Sequence, residues 1–121
     1  MKAACRDQAV EVIADYESRD PYTIRMTFRA GESCAEWLFS RELLITGMGA
    51  PSGAGDVRIT PGDRTIALHL DSPSGAATLV FVRRDLTRFL SRTFEEVMPG
   101  YEDDHLDWSD LPRPALPGGA A

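Results

Sequence analysis

The residues with the chemistry for acid–base catalysis, nucleophilic attack or metal binding are few in this chain. The sequence holds two histidines, His69 and His105, and two cysteines, Cys5 and Cys34. His69 lies within a segment of alternating polarity, which predicts a surface or cross-strand histidine rather than a catalytic base. Neither cysteine belongs to a C-x-x-C pair, so we expect free thiols. Because no nucleophile elbow, zinc spacing or pair of catalytic carboxylates occurs, we predict no catalytic residue, no cofactor and no enzyme activity.

The acidic run around His105 is the one stretch that could hold a cation. Asp103, Asp104 and Asp107 flank this histidine. Cation sites need ligands whose geometry is fixed in advance, and nothing in this run fixes it. A solvated acidic segment is therefore favoured over a metal site.

Glycines are concentrated in one short stretch near the middle of the chain. Four of them fall within nine residues, at Gly47, Gly49, Gly53 and Gly55. A phosphate-binding loop would need Lys followed by Ser or Thr after its last glycine, at the start of a helix. Here Asp56 follows Gly55 and opens a predicted strand. We therefore expect an exposed turn that joins two similar halves of the chain.

A regular stripe of positive charge lies on one predicted helix, which we place at residues 84–98. Arg84, Arg88 and Arg92 repeat at the four-residue spacing of one helix face. Such a stripe is either an ordinary solvated face or an interaction surface. The net charge of the chain is −6, which disfavours a purely electrostatic hold on nucleic acid or on an anionic membrane.

The elements that position these residues follow from hydrophobic periodicity, which predicts the order β-β-β-α repeated twice. The fold class is α+β, with two antiparallel sheets of three to four strands packed against two helices. The last strand, residues 76–82, is apolar on both faces, so we expect it to be central and covered on both sides. We predict strands over residues 9–17, 22–29, 34–39, 56–60, 64–71 and 76–82, and helices over residues 41–46, with Ser40 as N-cap, and 84–98. The predicted core residues are Phe28, Trp37, Phe39, Leu43, Leu68, Leu79, Phe81, Leu86, Phe89 and Leu90.

The length of 121 residues suits a single domain, which we place at residues 1–100. Residues 101–121 are acidic and then rich in Pro, Gly and Ala, which is typical of a flexible tail. No apolar run approaches the ~20 residues that span a bilayer. The first residues lack the apolar core of a signal peptide, so we expect a cytoplasmic protein.

Five segments, in order along the chain, resemble one protein family. They are DPYTIRMTF (20–28), EWLFSRELL (36–44), SGAGDVRI (52–59), SPSG (72–75) and the FLSRT–VMPG segment (89–100). Together they resemble the SsgA-like sporulation and cell-division proteins of filamentous spore-forming bacteria, and most closely the SsgA branch. The sequence departs from the family after Gly100, where a short acidic piece replaces the expected acidic helix.

The resemblance implies a non-enzymatic regulator or adaptor of septum-site selection, septation or spore-wall assembly. It implies a whirly-like fold, a homotrimer and a location at the division septum. The implied partners are other division or SsgA-like proteins, with FtsZ reached indirectly. The whirly-like fold keeps open an alternative, binding of single-stranded nucleic acid. The net charge of −6 disfavours it, and so does the placement of Trp37, Phe89 and Tyr22 on predicted core faces.

Two surfaces compete as the place where a partner docks. The arginine stripe is regular, but its arginines can form ion pairs with carboxylates of the same chain. The loop at residues 48–56 carries Met48 and Pro51 as an apolar tip, and loops on a rigid scaffold often carry function. We favour the loop. The partner-binding candidates are Arg41, Met48, Pro51 and Asp56 for the loop, and Arg84, Arg88 and Arg92 for the stripe.

Overall fold

Alternating apolar residues build an eight-stranded antiparallel sheet in the computed structural model, which describes residues 1–106. The order across the sheet is β4-β3-β2-β1-β8-β7-β6-β5. Each half of the chain therefore contributes four neighbouring strands, and pairing of β1 with β8 joins the halves. The strands are β1 (Lys2–Cys5), β2 (Gln8–Tyr16), β3 (Thr23–Ala30), β4 (Ser33–Ser40), β5 (Ser52–Ala54), β6 (Val57–Pro61), β7 (Thr65–Ser72) and β8 (Gly75–Val82).

Each group of four strands is followed by a helix, α1 (Arg41–Gly47) after β4 and α2 (Arg83–Glu96) after β8. The N-cap prediction is confirmed, because Oγ of Ser40 accepts a hydrogen bond from the Leu43 amide at 3.2 Å. The α+β class and the antiparallel strand pairing are also confirmed. The two predicted sheets are one continuous sheet, however, because β1 pairs with β8. The order is β-β-β-β-α twice, however, so the predicted repeat lacks one strand in each half. The missed strands are β1, whose apolar residues are small, and β5, which is three residues long within the glycine-rich stretch.

One face of the sheet and the apolar sides of both helices form a single core. Seven of the ten predicted core residues are buried: Phe28, Phe39, Leu68, Leu79, Phe81, Leu86 and Leu90. Trp37, Leu43 and Phe89 are half-buried and pack against the edge of this core.

Strand β8 is central, as predicted, since it pairs with β1 on one side and β7 on the other. It is not covered on both faces. Val80 is half-buried and Val82 is 46% exposed, because both helices pack on the face that carries Leu79 and Phe81. Within residues 1–106, no helix or strand packs against the second face of β8, although that face is apolar.

The chain continues past the predicted domain end at residue 100. A 3₁₀ helix (Glu102–His105) follows α2 and returns to the start of β3. The rest of the predicted tail, including Trp108 and Leu111, lies outside the described residues. Among residues 1–106, no helix has the length and apolar character needed to cross a membrane.

Candidate protein-binding surfaces

The glycine-rich stretch folds as the end of α1 followed by a small hairpin of β5 and β6. Gly55 in the hairpin turn has φ of 58°, a backbone conformation that favours glycine. Pro51 and Asp56 are exposed, whereas Met48 is half-buried. The loop is therefore an exposed tip whose first residue packs against the body of the protein.

Gly47 anchors the base of this loop through a close contact. A Cβ atom added at Gly47 would lie 2.7 Å from Cγ2 of Ile59, so α1 packs directly onto β6. The sequence correctly indicates the end of a helix at Gly47. The physical requirement is space rather than a positive φ.

A cleft of about 210 Å³ opens between the two helices beside the loop. Its apolar walls come from Ile45 and Met48 on the side of α1, and from Leu90 and Phe94 on α2. Met48 is therefore part of a concave wall. A cleft of this kind can receive an apolar side chain of a partner, the usual anchor of a protein interface.

Arg83, the first residue of α2, ties the loop to the body. Its Nη1 donates to the Met48 carbonyl at 2.7 Å, just beyond the end of α1. Its Nη2 and Nε donate to the Gly62 carbonyl at 2.6 Å and 3.0 Å. A cation at the C-terminal end of a helix satisfies carbonyls that have no partner within the helix.

Arg41, the first residue of α1, makes the reciprocal contact with the end of α2. Its Nη1 donates to the Val97 carbonyl at 2.7 Å and to the Thr93 carbonyl at 3.2 Å. The guanidinium also lies 5.1 Å from the ring centroid of Tyr16 and 5.6 Å from that of Phe94. Each helix therefore begins with an arginine that caps the C-terminal end of the other helix.

This placement corrects the prediction that Arg41 lies on the surface beside the loop. Arg41 is only 1% exposed, so its guanidinium serves the interior and offers no cation to a partner. Its partners come from residues 52 to 61 positions further along the chain. Local sequence carries no signal of such distant contacts.

Two carboxylates, those of Glu102 and Asp103, hold the segment after α2 against the rest of the protein. Oε2 of Glu102 accepts from Nη2 of Arg41 at 2.9 Å, and Oε1 accepts from the Gly100 amide at 2.8 Å. The hydrogen bond from Arg41 is the main reason why the pKa of Glu102 is lowered. Tyr22 was predicted to face the core but is 43% exposed, and it donates to Oδ1 of Asp103. That bond raises the pKa of Tyr22 to about 12.

The arginine stripe lies on the exposed face of α2, as predicted: Arg84, Arg88 and Arg92 are all exposed. None of the three is in an ion pair with another residue of the described chain. Arg88 and Arg92, together with Lys2 and Phe89, line a groove between α2 and the β1–β2 side of the sheet. We call this groove the arginine groove.

The histidine and cysteine side chains take structural positions. His69 Nδ1 lies 2.9 Å from Oγ1 of Thr78 and its Nε2 lies 3.2 Å from Oγ1 of Thr60, which confirms a cross-strand histidine. Cys5 is half-buried and Cys34 exposed, both as free thiols. Across residues 1–106, no group of three or more His, Cys, Asp or Glu residues is arranged to hold a metal ion.

The sequence from β2 to the start of the 3₁₀ helix corresponds to a known family. The family model described as "Streptomyces sporulation and cell division protein, SsgA" matches residues 10–102. The chain belongs to the SsgA family. This confirms the family that the five sequence segments indicated.

Curated relatives in the SsgA family are named sporulation-specific cell division protein SsgB. The protein of Kineococcus radiotolerans is 43% identical over 102 residues, which are 79% of this chain but only 62% of that protein. The protein of Streptomyces coelicolor is 42% identical over 97 residues, 76% of this chain and 71% of that protein. These relatives carry the SsgB name, whereas the segments suggested the SsgA branch.

A solved structure of the family has the same fold. It is the SsgA-like sporulation-specific cell division protein from Thermobifida fusca YX-ER1, with a TM-score of 0.79 and 35% sequence identity. The match covers 89% of this chain and 85% of that one. The eight strands and two helices described above therefore form the fold of an SsgA-family protein.

Proposed function

We propose that this chain is a non-enzymatic regulator of sporulation-specific cell division that acts by binding other division proteins at the septum. The observation that carries the proposal is the family match over residues 10–102, together with the names of the relatives. An adaptor of this kind needs a docking surface rather than a catalytic centre. We expect its partners to be other division proteins or further SsgA-like chains, with FtsZ reached through them.

The surface that best fits a partner is the loop together with the cleft beside it, which we call the loop–cleft surface. It combines the exposed Pro51 with the apolar walls formed by Ile45, Met48, Leu90 and Phe94. Arg83 and Gly47 hold the base of the loop in place, which reduces the entropy lost when a partner binds. A concave apolar site next to an anchored loop is the usual setting of an interface hot spot.

The test is a pull-down from sporulating cells with wild-type protein and a Met48→Asp, Pro51→Asp double variant. Two carboxylates placed in the loop–cleft surface should abolish capture of division proteins, because a buried unpaired charge is costly in an interface. A Pro73→Asp, Ser74→Asp double variant adds the same charge at two exposed residues of the turn between β7 and β8 and should retain every partner. Thermal unfolding of each variant establishes that it is folded.

A second variant separates this surface from the arginine stripe. Replacing Arg84, Arg88 and Arg92 by Glu should leave the partners bound. If this triple variant loses them while the Met48→Asp, Pro51→Asp variant keeps them, the docking surface is α2 and the loop–cleft assignment is wrong. Salt-sensitive, submicromolar binding of single-stranded DNA in a mobility shift would instead favour the nucleic-acid alternative.

A further inference from the structure

The arginine groove holds positive charge that the described chain does not neutralise. Lys2, Arg88 and Arg92 line it, and Asp85 is the single carboxylate among its lining residues. Asp85 lies in the first turn of α2, where the N-terminus of the helix stabilises negative charge. Within residues 1–106, no carboxylate forms an ion pair with Arg88 or Arg92. The groove therefore has a local excess of positive charge in a chain whose net charge is −6.

The groove is concave and partly apolar. Its volume is about 450 Å³, and its lining includes the half-buried side chains of Phe89 on α2 and Ala14 on β2. The Val12 amide donates to the Met1 carbonyl at 2.8 Å, which holds the start of β1 against β2 at the wall of the groove. A pocket of this size can enclose several side chains of a partner. An occupant that fits combines negative charge with an apolar side chain.

The spacing of the two arginines matches that of carboxylates on an extended peptide. Arg88 and Arg92 are one helical turn apart, about 6 Å along the axis of α2. Along an extended chain, alternate residues lie on the same side and are about 6.6 Å apart. The planar guanidinium group binds a carboxylate through two parallel hydrogen bonds, which favours arginine in this role. Two acidic residues at alternate positions of a peptide can therefore pair with both arginines.

The same features disfavour the two other large anions that a cationic surface can bind. Single-stranded nucleic acid stacks successive bases on several aromatic rings, whereas Phe89 is the single aromatic residue among those that line the groove. An anionic membrane attracts clusters of about four to eight basic residues on a surface, whereas the groove is concave and holds three. The 19 acidic residues of the chain also repel a large polyanion more than a short acidic segment.

We propose that the arginine groove is a second docking site, which binds an extended acidic segment of a partner protein. Carboxylates at alternate positions of the segment pair with Arg88 and Arg92, and an apolar side chain between them covers Phe89. No residue lines both this groove and the cleft of the loop–cleft surface, so the two sites can be occupied at once. Exposed ion pairs are individually weak, so loss of the groove alone does not release a partner held at the loop–cleft surface. The proposal rests on the proposed function only in that the occupant is a protein.

Binding of a labelled peptide to the purified full-length chain tests the proposal. The probe is fluorescein-labelled Gly-Asp-Leu-Asp-Leu-Asp-Gly, and fluorescence anisotropy measures its affinity. We expect the wild type to bind this peptide, more weakly as salt is added, and not to bind the same peptide with Asn in place of Asp. An Arg88→Glu, Arg92→Glu variant should bind it about tenfold more weakly or less, because repulsion between like charges replaces two ion pairs.

An Arg58→Glu, Arg64→Glu variant is the matched control. It makes the same change in net charge at two exposed arginines that do not line the groove, so it should bind the Asp peptide as the wild type does. A peptide with Lys in place of Asp should bind the Arg88→Glu, Arg92→Glu variant and not the wild type, because both ion pairs are then reversed. Circular dichroism at increasing temperature establishes that each variant is folded.

Three outcomes would overturn the proposal. The first is equal affinity of the Asp peptide for the Arg88→Glu, Arg92→Glu variant and for the matched control. The second is tighter binding of a labelled oligothymidylate or of phosphatidylserine vesicles than of the peptide, since nucleic acid or membrane would then be the occupant. The third is failure of the wild type to bind the Asp peptide. If the pull-down described above still captures division proteins in that case, the proposed function stands and the groove proposal alone is wrong.

Discussion

Arg41 is the side chain on which the interior polar contacts converge. Replacing it with Ala would remove the side-chain donor to the Val97 carbonyl and to Oε2 of Glu102. The Thr93 carbonyl would keep only its hydrogen bond from the Val97 amide. Removing one partner of a buried charged pair costs ~3–5 kcal/mol of unfolding free energy. Chemical denaturation should show such a loss for Arg41→Ala, and under ~0.5 kcal/mol for Arg58→Ala at an exposed residue. A cost of Arg41→Ala no larger than that of the control would contradict the structural role.

The ion pair between Arg41 and Glu102 depends on pH, because it needs the charged form of the Glu102 carboxylate. Its pKa is lowered from the ordinary value of 4.5, chiefly because its side chain accepts a hydrogen bond from Arg41. A carboxylate with a lowered folded-state pKa adds stability above its unfolded pKa, and that stability is lost as pH falls through the folded value. The difference in unfolding free energy between wild type and Glu102→Gln should therefore be largest near neutral pH and shrink at acid pH. A difference that is independent of pH would show that Arg41 does not hold Glu102 in its charged form.

The contact between α1 and β6 depends on the absence of a side chain at Gly47. In Gly47→Ala the new methyl group would meet Ile59, whose nearest atoms lie 2.7 to 2.8 Å from the ideal Cβ position. Overpacking of a core in this way costs ~1–3 kcal/mol. Gly49→Ala is the control, since its added Cβ meets nothing closer than 4.0 Å. We expect urea denaturation to show a loss for Gly47→Ala and none for Gly49→Ala. In an Ile59→Ala background, where the space is open, the further loss caused by Gly47→Ala should be smaller. Equal stability of the two glycine variants would contradict the close packing.

How far these elements could be predicted depends on whether their signal is local. Strands β3 and β4, the Ser40 cap and the arginine stripe each have a signature within a few residues, and the sequence predicts each of them. Strands β1 and β5 have no such signature, because pairing with their neighbours rather than side-chain pattern defines them. The burial of Arg41 and the cleft at Met48 arise from contacts between the two halves of the chain, which periodicity cannot reveal.

The two halves of the molecule also explain why a repeat was visible in the sequence at all. Leu-Phe-Ser-Arg at residues 38–41 and Val-Phe-Val-Arg at residues 80–83 occupy equivalent strand-to-helix junctions. In each junction the Phe is buried and the Arg caps the helix of the other half. The similar junctions therefore have the same structural role in both halves. Arg41 and Arg83 each bind carbonyls at the end of the other half's helix, and these contacts hold the two halves together.

Among residues 1–106, no element covers the apolar residues on the outer face of the sheet. Val80 lies in register with Ala4 of β1 and Ala67 of β7, which gives a strip of small apolar residues across the join between the halves. Val82 and Ile13 on the same face are 46% and 41% exposed. Exposed apolar residues grouped on one face in this way can form an interface between subunits. We propose that this face mediates self-association, with the homotrimer implied by the family resemblance as the expected state.

A Val82→Asp variant should weaken self-association without lowering the stability of the folded monomer. Val82 occupies the N-cap position of α2, and it makes no side-chain hydrogen bond there. Asp at an N-cap stabilises a helix by ~1 kcal/mol relative to an apolar residue, so the monomer should be at least as stable as wild type. A carboxylate on the apolar outer face should nevertheless weaken association, because it would be buried unpaired between subunits. Sedimentation should show wild type and Val82→Ile at three times the chain mass of 13.3 kDa, and Val82→Asp at the mass of one chain. Wild-type protein that sediments only as a 13.3 kDa monomer at micromolar concentration would contradict self-association, and a trimeric Val82→Asp would place the interface elsewhere.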